Sequence, residues 1–366
     1  MLYLAFRGMS LVQIGLLESV FHLTSLLMEV PTGIVADRFG RRTSRILGRL
    51  MAGLGTLLMI ASRGFPGFVA AFVCTALSYN LESGAGDALV YDSLAACGKA
   101  DGYMKVRGRQ EIAFQAAKIV SLVASGIIAT FDYSLAYLVT LGIQGACLAF
   151  AFSFEEPPAG APGGSAGCKV TFVGHLAGSF RVLRDNRGIV AYILFIEGFS
   201  LFYTTLYFYF QNFLKSCGYP EWRIGAVLAL SSLAGMAAGA NAHRMEKKIG
   251  GRRLISVSPF VVLAAFALIA FTRLEVPGIL LLAAVEGVLY VVFCDYINRL
   301  IPSVHRATLL SFQAMAFSMM MVVFFPVMGV VADGRGFKAA FLAVFAVALP
   351  VMLLVRALLL RRMKGT

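Results

Sequence analysis

Gly33-Ile34-Val35-Ala36-Asp37-Arg38-Phe39-Gly40-Arg41-Arg42 closes an apolar run that begins near Ser10 and opens another near Thr43. Two membrane spans joined by a basic hairpin satisfy this pattern. Gly33 carries no side chain, so a neighbouring helix can approach it closely, and Gly40 permits a tight reversal. Asp37 can accept hydrogen bonds from the backbone donors that open another helix, or pair with Arg38 or Arg41. Arg38, Arg41 and Arg42 either join such a charge cluster or only set the topology.

Composition extends that reading to the whole chain. Hydrophobic residues make up 59% of the 366 and charged residues 14%, with a mean hydropathy of +0.81. A soluble surface needs roughly a quarter of its residues charged. A helix crosses the ~30 Å hydrocarbon layer with ~20 apolar residues, whereas barrel strands alternate in ~10-residue pieces. The long unbroken runs therefore predict an all-α polytopic membrane protein.

Spans are expected over 10–37, 43–62, 66–94, 108–131, 134–154, 188–214, 222–243, 253–272, 277–299, 306–332 and 337–360. Met1 to Phe6 forms an apolar stub of about 9 Å, too short to cross. Most of the 32 Lys and Arg residues fall on one side. They lie in the Arg38–Arg49 loop, around Lys99–Arg109, Lys169–Arg187 and Arg244–Arg253, and near Arg299, Arg306 and Arg356–Lys364. Basic loops stay cytoplasmic, which puts Met1 outside and Thr366 inside a cell (inner) membrane. Basicity split among short loops is topological and makes no case for nucleic acid. The scattered cysteines, the lack of a phosphate-cradling G-x-x-x-x-G-K-[ST] loop and the lack of metal-ligand spacing predict no cofactor and no direct ATP coupling.

The spacing Gly-x-x-x-Asp-Arg-x-Gly-Arg-Arg, preceded by Glu29-Val30-Pro31-Thr32, resembles the loop between spans two and three of the major facilitator superfamily of secondary transporters. That resemblance implies a fold of two pseudo-symmetric helix bundles with twelve spans. Eleven are visible here, with the first apparently missing. The domains expected are an N-terminal bundle over 1–154, a cytoplasmic linker over 155–187 rich in Gly and Pro, and a C-terminal six-helix bundle over 188–366. It also implies that Gly33, Asp37, Arg38, Gly40, Arg41 and Arg42 latch the halves on the cytoplasmic side. Gly239-Ala240-Asn241-Ala242-His243, and Gly126-Ile127-Ile128-Ala129 beside Gly329-Val330-Val331-Ala332, echo the motif elsewhere, consistent with internal repeats.

Ionisable groups inside spans are costly and are functional candidates by default. Glu18, His22, Ser25 and Glu29 fall on one helical stripe, as do Glu197, Ser200, Thr204, Tyr207 and Gln211. Lys118, Glu197 and Glu286 each lie about 13–15 Å from a span end, near the midplane where transporter sites lie. Glu18, His22, Lys118, Glu197, Tyr207 and Glu286 are thus the candidates for substrate or proton binding, with buried structural pairs as the alternative. Asp295 is half a turn out of phase with Glu286. Glu82, Asp87, Asp92 and Asp295 sit nearer the cytoplasm, where pairing with loop arginines such as Arg41, Arg109 or Arg299 is the plainer expectation; Asp87, Asp92 and Arg109 are taken as a charge network around the gating loop. The aromatic run from Tyr192 to Phe210 could line a site, though lipid contact and an interface belt are its commoner uses.

The chain is therefore expected to move a small organic solute across a lipid bilayer by alternating access, coupled to protons by carboxylates, without enzymatic activity and as a monomer. Export of drug-like cations suits the acidic, aromatic spans. However, the Gly-Pro signature of many efflux members is missing from Lys118–Thr130, which leaves uptake open. A receptor-like or inactive membrane protein is the competing class.

Overall fold

The computed structural model describes residues 1–156, 187–300 and 306–362. Residues 157–186 of the Gly- and Pro-rich linker, with Cys168, Lys169, Arg181 and Arg184, lie outside them. In order the helices are α1 (Leu2–Phe6), α2 (Leu11–Phe39), α3 (Arg41–Ala61), α4 (Phe65–Ala96), α5 (Tyr103–Phe131), α6 (Tyr133–Phe152), α7 (Arg187–Ser216), α8 (Glu221–Ala240), α9 (Ala242–Ile249), α10 (Gly251–Phe271), α11 (Glu275–Leu300) and α12 (Arg306–Arg362).

Among the described residues, nine helical stretches are long and apolar enough to cross a membrane. The predicted span over 66–94 is there as α4, whose Asn80, Glu82, Asp87 and Asp92 hold its hydropathy down. The two predicted last spans both fall in α12, which departs from helical geometry at Gly336 (φ 83°, ψ 164°). Each of the eleven expected spans thus corresponds to helix, with ends shifted by a few residues.

The chain divides into two compact units. One comprises Leu16–Val170 and the other Met1–Gly15 with Thr171–Thr366, so the division falls inside α2. In the first, α3 packs along α4 and against α6, and α5 packs on α6. Ser44 Oγ donates to Leu81 O at 2.7 Å, tying α3 to α4.

In the second unit α8 packs on α11, and α12 packs on α7 and α10. Gly235 and Gly239 of α8 face Ala283 and Gly287 of α11. A Cβ on Gly287 would stand 2.2 Å from Gly235 O, and one on Gly239 3.2 Å from Gly287 O. Small residues four apart on both helices let the backbones touch, which is how helices associate without a hydrophobic drive between them. Helix α7 is central. Phe195, Phe199, Phe202, Tyr209 and Phe210 are all at most 3% exposed, and Phe195 stacks on Phe293 at 4.8 Å. The aromatic run is therefore mostly core rather than a lipid-facing belt: lipid-facing helices need only apolar surface, while a central helix must fill volume on every side.

Gly287→Val is expected to cost about 1–3 kcal/mol through overpacking, seen as a lower unfolding temperature of the purified protein in detergent. An unchanged midpoint would mean the α8–α11 contact is not close.

Candidate functional site

The loop after α2 reverses at Gly40, whose φ of 92° is open to glycine but strained for other residues. It caps α3 as well, since Arg41 N and Arg42 N, the first free donors of that helix, both donate to Glu156 at 2.7 Å. A carboxylate spanning the first amides of a helix gains from both hydrogen bonding and the macrodipole. The role foreseen for Asp37, accepting the donors that open a helix, is here played by Glu156. Asp37 itself is exposed and has no ion pair among the described residues. Gly33 is likewise open, with nothing within 4 Å of where a Cβ would stand.

The arginines of this loop fan out over their own unit. Arg41 pairs with Asp92, Arg42 Nη2 donates to Phe152 O at 2.8 Å, and Arg45 lies over the Phe154 ring at 4.9 Å. Arg38 lies over Phe39. Deeper, Arg49 pairs with Glu82 and reaches Gln144 at 3.4 Å. Asp87 pairs with Arg107 at 2.9 Å rather than with Arg109. Positions 107 and 109 are ~200° apart around α5, so only one of them can face α4. The structure thus brings Arg41 to Asp92, leaves Arg109 exposed, and adds Arg49–Glu82 and Glu156, which the motif did not indicate.

The midplane candidates divide between the units. In the first, Glu18 is buried and His22 half-buried, edge-on to Phe21 at 5.4 Å. On the next turn Ser25 Oγ donates to Asn80 Oδ1 at 2.7 Å, while Asn80 Nδ2 donates to Ser25 O at 2.7 Å. Lys118 is exposed and forms no ion pair among the described residues.

In the second unit the candidates converge. Glu197 of α7 is 7% exposed and accepts a hydrogen bond from Gln313 of α12. Tyr290 and Cys294 of α11 lie near both Glu197 and Glu286. Tyr203 lies near Glu286 and its ring centroid is 6.0 Å from that of Tyr207, which in turn lies near Ser232 of α8. One cluster therefore joins α7, α8, α11 and α12 and contains two carboxylates, three phenols and an amide. Asp295, half a turn away, is exposed. Gln313 went unnoticed because an amide in an apolar run carries no periodic signal.

Long apolar helices with a charge-capped turn after the second and acids within them define a multi-pass membrane protein. The chain matches the family model described as the Major Facilitator Superfamily over residues 2–285, and it belongs to that superfamily of secondary transporters. It is 23% identical over 364 residues to the uncharacterized MFS-type transporter YxaM of Bacillus subtilis (strain 168), covering 94% of this chain and 86% of that one. Among solved structures it superposes on the nucleoside transporter NupG with a TM-score of 0.76 at 14% identity, covering 97% of this chain and 92% of that one. A D-xylose-proton symporter gives 0.73 at 12% identity, over 96% and 89%. At such identities the superpositions speak for the fold alone.

The two acids of α4 are expected to differ in what they stabilise. The Arg41 and Asp92 side chains are 20% and 12% exposed, against 40% and 52% for Arg107 and Asp87. Asp92→Ala leaves a largely buried guanidinium unpaired and is expected to cost at least about 2 kcal/mol, Asp87→Ala less than about 1. Unfolding midpoints of the two variants, compared in one detergent, check the order; equal losses would contradict it.

Proposed function

We propose that this chain moves a small organic solute across the cell membrane in exchange with or alongside protons, with Glu197 or Glu286 carrying the coupling proton. The observation that carries this reading is Glu197, buried inside a long apolar span and hydrogen-bonded to Gln313 of α12, with Glu286 of α11 nearby. Water-excluded acids are expensive to keep charged; a carboxyl that gains and loses a proton as access alternates turns that cost into coupling. One structural neighbour is by its name a proton symporter, which supports proton use in this fold.

Solute recognition falls to the same cluster. Glu197, Glu286, Tyr203, Tyr207 and Gln313 offer mainly hydrogen-bond acceptors and phenol rings, suited to a solute bearing a cationic or hydrogen-bond-donating group. The reading includes export as the direction, basic loops on the cytoplasmic face, bundles over 1–154 and 188–366 joined by a cytoplasmic linker over 155–187, and the Gly33–Arg42 loop as a cytoplasmic latch.

In proteoliposomes with an imposed pH difference and a panel of solutes, Glu197→Gln or Glu286→Gln is expected to abolish accumulation against a gradient while sparing exchange, because glutamine mimics the protonated acid. Full accumulation in both single variants and in the double variant would remove these acids from the coupling and turn attention to Glu18, Glu82 and Asp87.

The orientation is tested separately. A reporter fused at Thr366 is expected to be active only in its cytoplasmic form, and activity of the outward form would reverse every assignment of side.

A further inference from the structure

The stretch Gly329-Val330-Val331-Ala332-Asp333-Gly334-Arg335-Gly336-Phe337-Lys338 repeats Gly33-Ile34-Val35-Ala36-Asp37-Arg38-Phe39-Gly40-Arg41-Arg42 at the glycines, the Val-Ala-Asp triplet and the final base. The backbone repeats as well. Gly336 has φ 83° and ψ 164°, Gly40 φ 92° and ψ 155°, a region that favours glycine. In this copy the carboxylate is engaged. Asp333 Oδ1 accepts from Leu11 N at 3.1 Å and Oδ2 from Val12 N at 2.9 Å, so it spans the first two amides of α2.

The rest of that helix start is satisfied locally. Gln13 N donates to Ser10 Oγ at 3.2 Å and Ser10 N to Gln13 Oε1 at 3.0 Å, a capping box, and Ile14 N donates to Ser10 O at 2.9 Å. Asp333 therefore accepts from the two donors that the box leaves over. Backbone contact surrounds it. A Cβ on Gly329 would stand 2.5 Å from Leu11 O, and one on Gly15 2.7 Å from Phe325 O. Tyr209 Oη, buried between them, donates to Phe325 O at 2.9 Å and stands 3.2 Å from Leu11 O.

Helix α2 thus begins at one copy of the motif and ends at the other. We propose that Gly329–Lys338 is a second latch at the opposite end of α2, with Asp333 a positioning residue for transport that clamps the start of α2 to α12 and lets go when that side opens. The proposal rests on the alternating-access reading above. A static cap would need the carboxylate but neither the repeated turn nor glycines at both touching backbones; together these make a joint that can close tightly and part cleanly.

The test uses the full chain in intact cells, with exposed Cys217 replaced by Ser and Ile14, 0% exposed, replaced by Cys. The rate of labelling by a membrane-impermeant maleimide reports how often the start of α2 comes free. Asp333→Asn is expected to raise that rate about tenfold, equivalent to about 1.4 kcal/mol, and Asp333→Glu to leave it near the parent's. Leu11→Pro removes one donor while suiting the first position of a helix, and is expected to raise the rate by a smaller factor in the same direction. Unchanged labelling in both Asp333→Asn and Leu11→Pro, with or without a lower unfolding midpoint, would mark Asp333 as a static helix cap and overturn the latch. The labelling needs no solute, so this outcome is read independently of the accumulation assay that judges transport itself.

Discussion

Hydrocarbon offers no hydrogen-bonding partner, so a chain that enters it must satisfy every backbone amide internally. Helices do this everywhere except at their ends, where the first amides and last carbonyls are left over. In this protein the ends are where charge collects. Asp132 opens α6 by accepting from Ser134 N at 2.6 Å, Glu156 opens α3 and Asp333 opens α2. The last two come from far along the chain, so each cap also fixes a tertiary contact. A hydrophobic drive between helices is absent in lipid; what remains to specify the packing is backbone contact at small residues and such charged seams.

The spans were legible because twenty-residue apolar runs have few other uses, and the turn at Gly40 because a glycine there answers a conformational need. The pairings were not. Whether Asp87 meets Arg107 or Arg109 depends on the rotation of α5, which a periodicity count leaves free. Glu156 lies just past a span, followed by Pro157 and Pro158, and nothing in its neighbourhood reveals that a helix start more than a hundred residues earlier will close on it. The burial of the α7 aromatics was hidden for a related reason: Phe and Tyr are equally at home in a core and at a lipid interface, and only the helices around α7 decide.

The interior acids divide in the same way. Glu82 and Asp92 are matched by arginines and serve the packing of α3 on α4. Glu197 instead meets the amide of Gln313, and both it and Glu286 lie near the phenol of Tyr290. The same residue type thus ties α3 to α4 and sits among phenols on α7 and α11.

Helix α2 has 29 residues, about 43 Å along its axis, against a hydrocarbon layer of ~30 Å. The helix therefore exceeds the layer it crosses, by tilt or by ends that reach the headgroups, and a helix start at headgroup depth suits a phosphate as well as a carboxylate. Anionic lipid that reached Leu11 and Val12 would compete with Asp333 for the same two amides, while beside Arg38 and Arg42 it would meet cations. The composition of each leaflet would then act on the two ends of one helix in different ways, and a bilayer of uniform neutral lipid would be a different environment for it from an asymmetric membrane.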